Sequence, residues 1–410
     1  MASALPAATS PLAMNIETDI AIIGAGIVGA ACACELARGG WRVVLVDRAA
    51  PAEGTSGACD GYVSVSTKIP GLSMQLALAS REIYPEWAAR LGIDAAFHPI
   101  GGLLIVEDEA NWPKVEEHVR RLGEAGVSAR LLDRTDMLKE EPALSPHLAG
   151  AVLCDGEAHV AAYRMNLALV ADAMEHGAEC LWNAPLVEAD VAGGEIRSVR
   201  TPVGSIRAGQ YVIATGVWSE AVGKLLGVTL PVAPRRGDLI VTGRSKLLTP
   251  RMLVSARYLT AKAEPEIAEK SDDPLIRLGY GFVMEPTVTG QHIIGSTRIF
   301  AGFDRRADTA TAAMMMREAA RRVPGVAGLE VLRCFAGLRP YVPDKKPLIG
   351  RSDAVTNMIV ATGHEGDGVT LAPITARIVA ALARGDDAPF DLTPLHPDRF
   401  NHRPSPHRSP

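Results

Sequence analysis

The clearest hydrophobic pattern in the chain lies between Asp19 and Asp47. Four consecutive apolar residues, 20–23, are typical of a strand that is buried on both faces of a parallel sheet. Apolar residues at helical spacing follow over 27–38, and a pair of glycines ends this segment. A second predicted strand, residues 42–46, contains the apolar run VVLV and leads into Asp47. The pattern predicts a strand, a tight turn, a helix and a second strand.

Glycines occupy the turn between the first strand and the helix with the spacing G-x-G-x-x-G. Gly24 permits the turn, Gly26 lets a pyrophosphate approach the backbone, and Gly29 lets the helix pack against the strand. Asp47 stands 18 residues after Gly29, at the end of the second strand, where a carboxylate can accept hydrogen bonds from a ribose. These features predict dinucleotide binding at the helix N-terminus without saying which dinucleotide. A turn without a ligand is the alternative, and it leaves Asp47 unexplained.

Two further strand-to-helix junctions made of small residues occur later in the chain. The first consists of residues 214–216 and follows a predicted strand over 209–213. The second contains the sequence GHEGDG, follows a predicted strand over 357–361 and precedes an apolar helix predicted over 369–383. Because such turns expose backbone N–H groups, we predict that both junctions contact the same dinucleotide.

The sequence between residues 231 and 330 has a different pattern of apolar residues, with short runs in place of long ones. Short runs that predict strands cover residues 239–242, 280–284, 292–295 and 297–299, and proline and glycine separate them. Short strands separated by proline and glycine turns predict a second domain with a mostly antiparallel sheet.

Composition narrows the classes of protein that need to be considered. A chain of 410 residues with 48% apolar residues is long enough for two or three domains. The net charge of −5 and the lack of a basic block argue against nucleic acid as a partner. Six scattered cysteines without a C-x-x-C pair predict no metal site and a reduced, cytoplasmic setting. No apolar run approaches the roughly 18 residues of a membrane span, although peripheral membrane association stays open. Residues 1–15 and 400–410 are expected to be disordered.

Five motifs in order give the chain a resemblance to the DAO family of FAD-dependent amine and amino-acid oxidoreductases. They are IIGAGIVGA with LVD, GTSGACDG, YVIATGVWS, PRRGDLIVT with GQHIIGSTRIFAGFD, and GLRPYVPDKKPLIG with ATGHEGDG. The resemblance implies an α/β fold, with a Rossmann-type FAD-binding domain like that of glutathione reductase and a mostly antiparallel substrate domain. The expected FAD-binding domain comprises residues 16–70, 150–234 and 330–390, and the expected substrate domain comprises residues 71–149 and 235–329.

The resemblance also implies the residues that hold FAD. They are Gly24, Gly26, Ile27, Val28, Gly29, Asp47, Arg48, Thr55, Ser56, Gly57, Gly61, Val187, Ala214, Thr215, Gly216, Trp218, Gly337, Arg339, Gly363, His364, Gly366, Asp367, Gly368 and Val369. In monomeric sarcosine oxidase a cysteine of this last region bonds the flavin covalently. Gly337 occupies that position here and Cys334 lies three residues earlier, so the expected FAD is non-covalent.

Arg339 is implied as the residue that binds the substrate carboxylate, as in glycine oxidase-like members. A guanidinium pairs with a carboxylate through two parallel hydrogen bonds and stays charged at any working pH. An arginine that bridges the two domains is the alternative. Tyr258, Tyr280 and Met284 lie where the family lines its substrate pocket, and plain packing is as good an explanation for each. Asp367 stands where glycine oxidase has an arginine, which suggests a substrate with an amine or a second cation there.

The implied reaction is oxidation of the carbon–nitrogen bond of an amino acid, including D-amino acids, an imino acid or an opine-like secondary amine. Hydride passes to flavin N5 and gives an imine, which hydrolyses. The alternatives are an NAD(P)-dependent dehydrogenase, a non-catalytic flavoprotein subunit of a larger complex and a flavin monooxygenase. Several phrases resemble the FAD subunits of opine oxidase, which favours a hetero-oligomer. The sequence leaves open the substrate, its stereochemistry and whether oxygen or a partner subunit accepts the electrons.

Overall fold

The structure is a computed structural model that describes residues 14–92, 97–257 and 272–401. The strands are β1 Met14–Ile23, β2 Val43–Val46, β3 Tyr62–Val63, β4 Gly102–Val106, β5 Arg130–Asp133, β6 Gly150–Cys154, β7 Ala158–His159, β8 Glu179–Leu181, β9 Glu188–Ala192, β10 Glu195–Thr201, β11 Gly204–Ile213, β12 Ala233–Thr242, β13 Met252–Ser255, β14 Val283–Pro286, β15 His292–Gly295, β16 Val331–Tyr341, β17 Leu348–Arg351 and β18 Met358–Thr362. The helices are α1 Ile27–Arg38, α2 Leu72–Leu91, α3 Trp112–Glu124, α4 Arg134–Glu140, α5 Ala162–Glu175, α6 Ser219–Leu226, α7 Pro274–Arg277, α8 Thr309–Arg322 and α9 Gly368–Arg384.

The first sheet has the strand order β17-β18-β11-β1-β2-β8, with β10 and β9 attached beyond β11. Its strands from β18 to β8 run parallel, and α1, α2, α5 and α9 pack their apolar side chains together on one face. Residues 20–23 of β1 and all of β2 are buried because helices cover the sheet, as the apolar runs predicted. The Rossmann-type prediction is therefore confirmed.

The second sheet has the order β16-β12-β15-β14-β13-β4-β6-β5. All its described neighbours pair antiparallel except β13 and β4, which are parallel. Helix α8 packs on one face of this sheet and α3 on the other. The prediction of a mostly antiparallel second sheet is confirmed.

The structure corrects the expected domain boundaries at three elements. Strands β6 and β16 were expected in the FAD-binding domain, but both pair within the second sheet. Helix α2 was expected in the substrate domain, but its buried side chains pack with α1 and α9. An apolar strand or helix face fits the core of either domain, so its pattern alone does not identify its neighbour.

Three smaller expectations also change. Residues 297–299 form no strand, because only an isolated bridge joins Ile299 to Arg236. Residues 14 and 15, expected in a disordered tail, begin β1, and residues 1–13 and 402–410 lie outside the described part of the chain. The segment Glu365–Arg384 is long and apolar enough to cross a membrane, with mean hydropathy 1.2, but 72% of its apolar stretch is buried inside the protein. Its place between α1 and α2 is that of a core helix.

Candidate active site

A cavity of about 460 Å³ lies where the carboxyl ends of the parallel strands of the first sheet face the second sheet. Its wall includes the last residues of β1, β2 and β18, which are Ile23, Val46 and Thr362. The three small-residue junctions predicted from the sequence all contribute to this wall. A crevice at the carboxyl ends of parallel strands is where α/β proteins bind dinucleotides.

At one end of the cavity, the turn before α1 leaves no room for side chains. Gly24 has φ +109°, and a Cβ atom on it would lie 2.4 Å from the Ala214 carbonyl oxygen. A Cβ atom on Gly29 would lie 1.8 Å from the Gly24 carbonyl oxygen, so helix and strand pack as the glycine spacing predicted. The Ile27 N–H donates to the Ser56 hydroxyl at 2.8 Å. This turn and the N-terminus of α1 form a site that suits a pyrophosphate.

Asp47 stands at the end of β2 and is fixed by the backbone. Its carboxylate accepts hydrogen bonds from the Ala25 N–H at 2.6 Å and the Ala49 N–H at 2.9 Å. Burial raises the pKa of Asp47, and the two N–H groups oppose that shift. Because a carboxylate has about four lone-pair sites, Asp47 can still accept bonds from a ribose.

At the other end, the third junction leads into α9. Gly363 has φ +76°, and Gly366 lies beside the Arg339 side chain, with its hypothetical Cβ 3.5 Å from Nε. His364 is buried, and its Nε2 lies 3.1 Å from the Thr375 hydroxyl. Desolvation lowers the pKa of His364 to about 4, so the imidazole is neutral at pH 7. The junction therefore offers backbone N–H groups and the dipole of α9, and the His364 imidazole adds no charge to them.

Arg339 projects from β16 over the facing strand β12. A Cβ atom on Gly237 would lie 2.3 Å from Arg339 Nη1, so only glycine leaves room for the guanidinium. Nη1 donates to the Thr297 carbonyl at 2.8 Å and Nη2 donates to the Ser296 hydroxyl at 2.8 Å. Both partners follow β15 in the same half of the molecule as β16, so these two hydrogen bonds do not bridge the two sheets. Arg339 lines the cavity.

A second arginine lies beneath this site on the facing strand. Arg235 pairs with Arg339 in the register of β12 and β16, and its side chain is 1% exposed. It contacts Glu365 at 3.4 Å and lies over the ring of Tyr341 at 5.4 Å. Burial lowers the pKa of Arg235 to about 10, so it remains charged at pH 7. The site therefore holds two positive charges close together.

Asp367 does not offer a bare negative charge to a substrate. The Lys68 ammonium group contacts it at 2.7 Å, and both side chains are largely buried. The expectation that Asp367 would meet a cationic group of the substrate therefore loses its basis.

The structure disagrees with several expected contacts. Tyr280 and Met284 pack in the core between the second sheet and α8, away from the cavity. Val187 does not line the cavity, because its N–H bonds the Arg200 carbonyl and residues 184–186 form the wall instead. Tyr258 lies outside the described residues.

Four more expected FAD contacts are not among the residues that line the cavity: Gly29, Gly57, Gly61 and Asp367. The other expected residues line the cavity, although the Thr55 hydroxyl donates to the Leu338 carbonyl. Wall residues that the sequence did not single out include Asp60, Gly237 and Arg305. The sequence signal that could have identified Asp60 is its position as the acidic residue of the glycine-rich loop GTSGACDG.

The fit to FAD can be judged from the wall itself. Glycines at both ends allow backbone to approach a ligand, since a Cβ atom on Gly337 would lie 2.0 Å from the Ala58 carbonyl oxygen. The turn before α1 suits a pyrophosphate, Asp47 suits a ribose, and the N-terminus of α9 suits an electron-rich ring. The residues present therefore fit FAD.

Comparison with known proteins agrees with this geometry. The sequence profile of the DAO family, described as FAD dependent oxidoreductase, matches residues 19–382. The hydrogen cyanide synthase subunit HcnC of Pseudomonas aeruginosa is 26% identical, over 96% of this chain and 98% of that protein. The glycine oxidase of Geobacillus kaustophilus is 28% identical, over 93% of this chain and 97% of that protein. Its crystal structure has a TM-score of 0.84 and covers 94% of this chain and 99% of that chain. The chain belongs to the DAO family of FAD-dependent oxidoreductases, and FAD rather than NAD(P) is its cofactor.

Proposed function

We propose that the protein oxidises the carbon–nitrogen bond of a small amino acid, an imino acid or an opine-like secondary amine. The observation that carries the proposal is the position of Arg339, which reaches the cavity beside the α9 junction. A guanidinium has five N–H donors, and within the described residues Arg339 donates one to Thr297 and one to Ser296. Donors therefore remain for a carboxylate, and their planar arrangement suits it.

The residues of this chain would hold and orient the reactants. Gly24 and Gly26 would receive the pyrophosphate, Asp47 the ribose, and the residues at the start of α9 the flavin. Arg339 would bind the substrate carboxylate and thereby fix which hydrogen of the neighbouring carbon faces the cofactor. Bound FAD supplies the acceptor for the hydride. Non-covalent FAD is supported by Gly337, where the Ala58 carbonyl leaves no space for a side chain that could form a bond.

The relatives support this substrate class. Glycine oxidase is named for an amino acid, and its resemblance covers almost all of both chains. The alternative of a flavoprotein subunit in a larger complex is supported by HcnC, which is named as a subunit of hydrogen cyanide synthase. We infer that this chain is catalytic in either case, because its cavity combines the fit to FAD with an arginine for the substrate.

Anaerobic bleaching of the flavin tests the proposal. The purified protein is expected to be yellow and to lose its visible absorption when glycine, N-methylglycine, proline of either hand or iminodiacetate is added without oxygen. A flavin that none of these compounds bleaches, but that NADPH reduces, would refute the proposal in favour of a monooxygenase. Air is then admitted to the bleached protein. Fast return of the yellow colour indicates an oxidase, and slow return indicates that a partner subunit takes the electrons.

A reduced, cytoplasmic setting is part of the same proposal. All six cysteines are free thiols, and they are scattered through both sheets and the helices of the first. Secreted proteins of this length commonly pair their cysteines.

A further inference from the structure

Asp60 lines the cavity together with Arg339, and the proposed function does not use it. The backbone on both sides of Asp60 is fixed. On one side the Ala58 carbonyl lies against Gly337, and on the other the Gly61 N–H donates to both oxygens of Glu285, at 3.0 and 3.1 Å. The Asp60 carboxylate is therefore held where the two sheets meet.

The charged groups around Asp60 come from several elements. Arg339, Arg298 and Lys68 lower its pKa, and the Tyr62 N–H also bonds it. Burial has the larger effect and raises the pKa of Asp60 above its ordinary value. The neighbouring Cys59 thiol also faces this group, and burial raises its pKa, so it stays neutral. The three cations oppose the effect of burial and favour the ionised form of the Asp60 carboxyl group.

Glu285 lies behind Asp60 and is more deeply buried than Asp60. It is completely buried in β14, and burial together with the charge of Asp60 raises its pKa well above the usual range. His159 Nε2 lies 3.8 Å from Glu285 Oε1, but burial lowers the pKa of His159 to about 4, so that imidazole is neutral. Burial and the nearby carboxylate therefore both favour the neutral form of Glu285.

We propose that Asp60 binds the nitrogen end of the substrate and accepts the proton that the ammonium group must lose before oxidation. The inference rests on the proposed function, in which Arg339 binds the carboxylate. An amino acid in neutral water is a zwitterion, and Arg339 and Asp60 present the two complementary charges along one wall of the cavity. In the proton transfer, one N–H bond of the ammonium group breaks and an O–H bond forms on Asp60. The electron pair stays on nitrogen, and the resulting neutral amine is the form that can release hydride.

The other role open to Asp60 is structural, as a counter-charge for Arg339 and Lys68. The two roles differ in how an amino group on the ligand matters. A counter-charge affects every carboxylate ligand alike, whereas a nitrogen-binding group affects only ligands that carry an ammonium group.

Binding of two probes that cannot be oxidised distinguishes these roles. 2-Aminoisobutyrate is an amino acid without a hydrogen on its α-carbon, and isobutyrate is the same skeleton without the amino group. Binding to the holoenzyme is followed through the flavin absorption. Asp60→Asn is expected to raise the Kd of 2-aminoisobutyrate at least about tenfold, while the Kd of isobutyrate changes less than about threefold. The control Asp155→Asn, at an exposed turn, should change neither. Equal weakening of both probes, or of neither, would overturn the inference.

A calorimetric measurement on the unmodified holoenzyme covers the case in which Asp60→Asn does not fold. Heats of 2-aminoisobutyrate binding at pH 7 are compared in buffers with different ionisation enthalpies, which gives the number of protons released. Close to zero protons is expected, because the proton stays in the site, on nitrogen or on Asp60. Release of one proton per bound molecule would show that the site takes the neutral amine without an acceptor.

The pH dependence of anaerobic flavin bleaching supplies a further readout. The substrate is whichever amino acid among those tested under the proposed function bleaches the flavin fastest. Asp60→Asn should be slow at pH 7 and approach the unmodified protein as pH rises toward the pKa of the free amino group. Identical profiles would refute the role of Asp60. If no amino acid of the panel bleaches the unmodified protein, the proposed function itself fails, which is a different outcome.

Discussion

Replacing Arg339 by leucine should weaken substrate binding far more than FAD binding. Leucine removes the guanidinium that we assign to the substrate carboxylate but keeps an apolar side chain of moderate size on β16. The expected result is a large increase in KM for an amino acid, with FAD content close to that of the unmodified protein. The physical reason is that the carboxylate loses charge-assisted hydrogen bonds in a site that is partly shielded from water.

The size of the effect can be estimated from the bonds that are lost. Hydrogen bonds to a charged group contribute about 1.5–3 kcal/mol, and roughly 1.4 kcal/mol corresponds to a factor of ten. KM should therefore rise about 10–150-fold. The same change leaves the Thr297 carbonyl, which is buried, without its Arg339 donor. An unsatisfied buried acceptor costs about 1–3 kcal/mol of stability, so the thermal midpoint should also fall by several degrees.

The assay is steady-state oxidation of the amino acid that bleaches the flavin fastest, together with FAD content from visible absorbance. Arg333→Leu is the matched control, because Arg333 lies on the same strand, is exposed and stacks over Phe335. Arg339→Lys should give an intermediate KM, since it keeps a positive charge but not the planar pair of donors. Unchanged KM for a carboxylated substrate in Arg339→Leu would refute the assignment.

Gly337→Ala should reduce FAD content, measured by visible absorbance per protein, because its Cβ would lie 2.0 Å from the Ala58 carbonyl oxygen; full FAD content would contradict this. Lys68→Met should lower the free energy of unfolding in urea by roughly 3–5 kcal/mol, because it breaks a buried ion pair with Asp367, and adding Asp367→Asn should restore part of the loss. Desolvation lowers the pKa of three buried imidazoles from 6.5 to about 4: His159, His292 and His364. In the unfolded chain the three imidazoles bind protons below about pH 6.5, and in the folded chain they do so only near pH 4. The stabilising contribution of the neutral imidazoles is therefore complete above about pH 6.5 and is lost as pH falls toward 4. A thermal midpoint that stays constant between about pH 7 and pH 4.5 would be the opposite result.

The sequence predicted best where one local rule decides the structure. Helix α1 has the bounds Ile27–Arg38 that the apolar spacing and the double glycine indicated. The glycine spacing before α1 also predicted the close packing that the structure shows at Gly24 and Gly29. In each case the residues that define the element are neighbours in sequence, so the pattern contains the information.

The sequence predicted less well where distant segments decide. Strand β6 pairs with β4 and β5, and no feature of its apolar run distinguishes that position from one in the first sheet. Met284 was expected in the pocket, but alternation along β14 turns it into the core, while its neighbour Glu285 faces Gly61. Lys68 and Asp367 are 299 residues apart, and their pairing joins the segment after β3 to the turn before α9. Without the strand order, the face that each of these side chains occupies is undetermined.

Strand β16 carries both a glycine that lines the proposed FAD site and the arginine proposed for the substrate carboxylate. Gly337 and Arg339 both line the cavity and stand two residues apart on β16, so they face the same side of that strand. Gly337 lies opposite Gly237 in the register with β12. Gly337 lets β16 approach the Ala58 carbonyl, and Gly237 leaves room for the Arg339 guanidinium. Because a strand rises about 3.3 Å per residue, the wall that meets the flavin and the arginine that would bind the carboxylate are separated by a fixed short distance. The register of β12 and β16 would therefore set how far the proposed carboxylate site lies from the flavin.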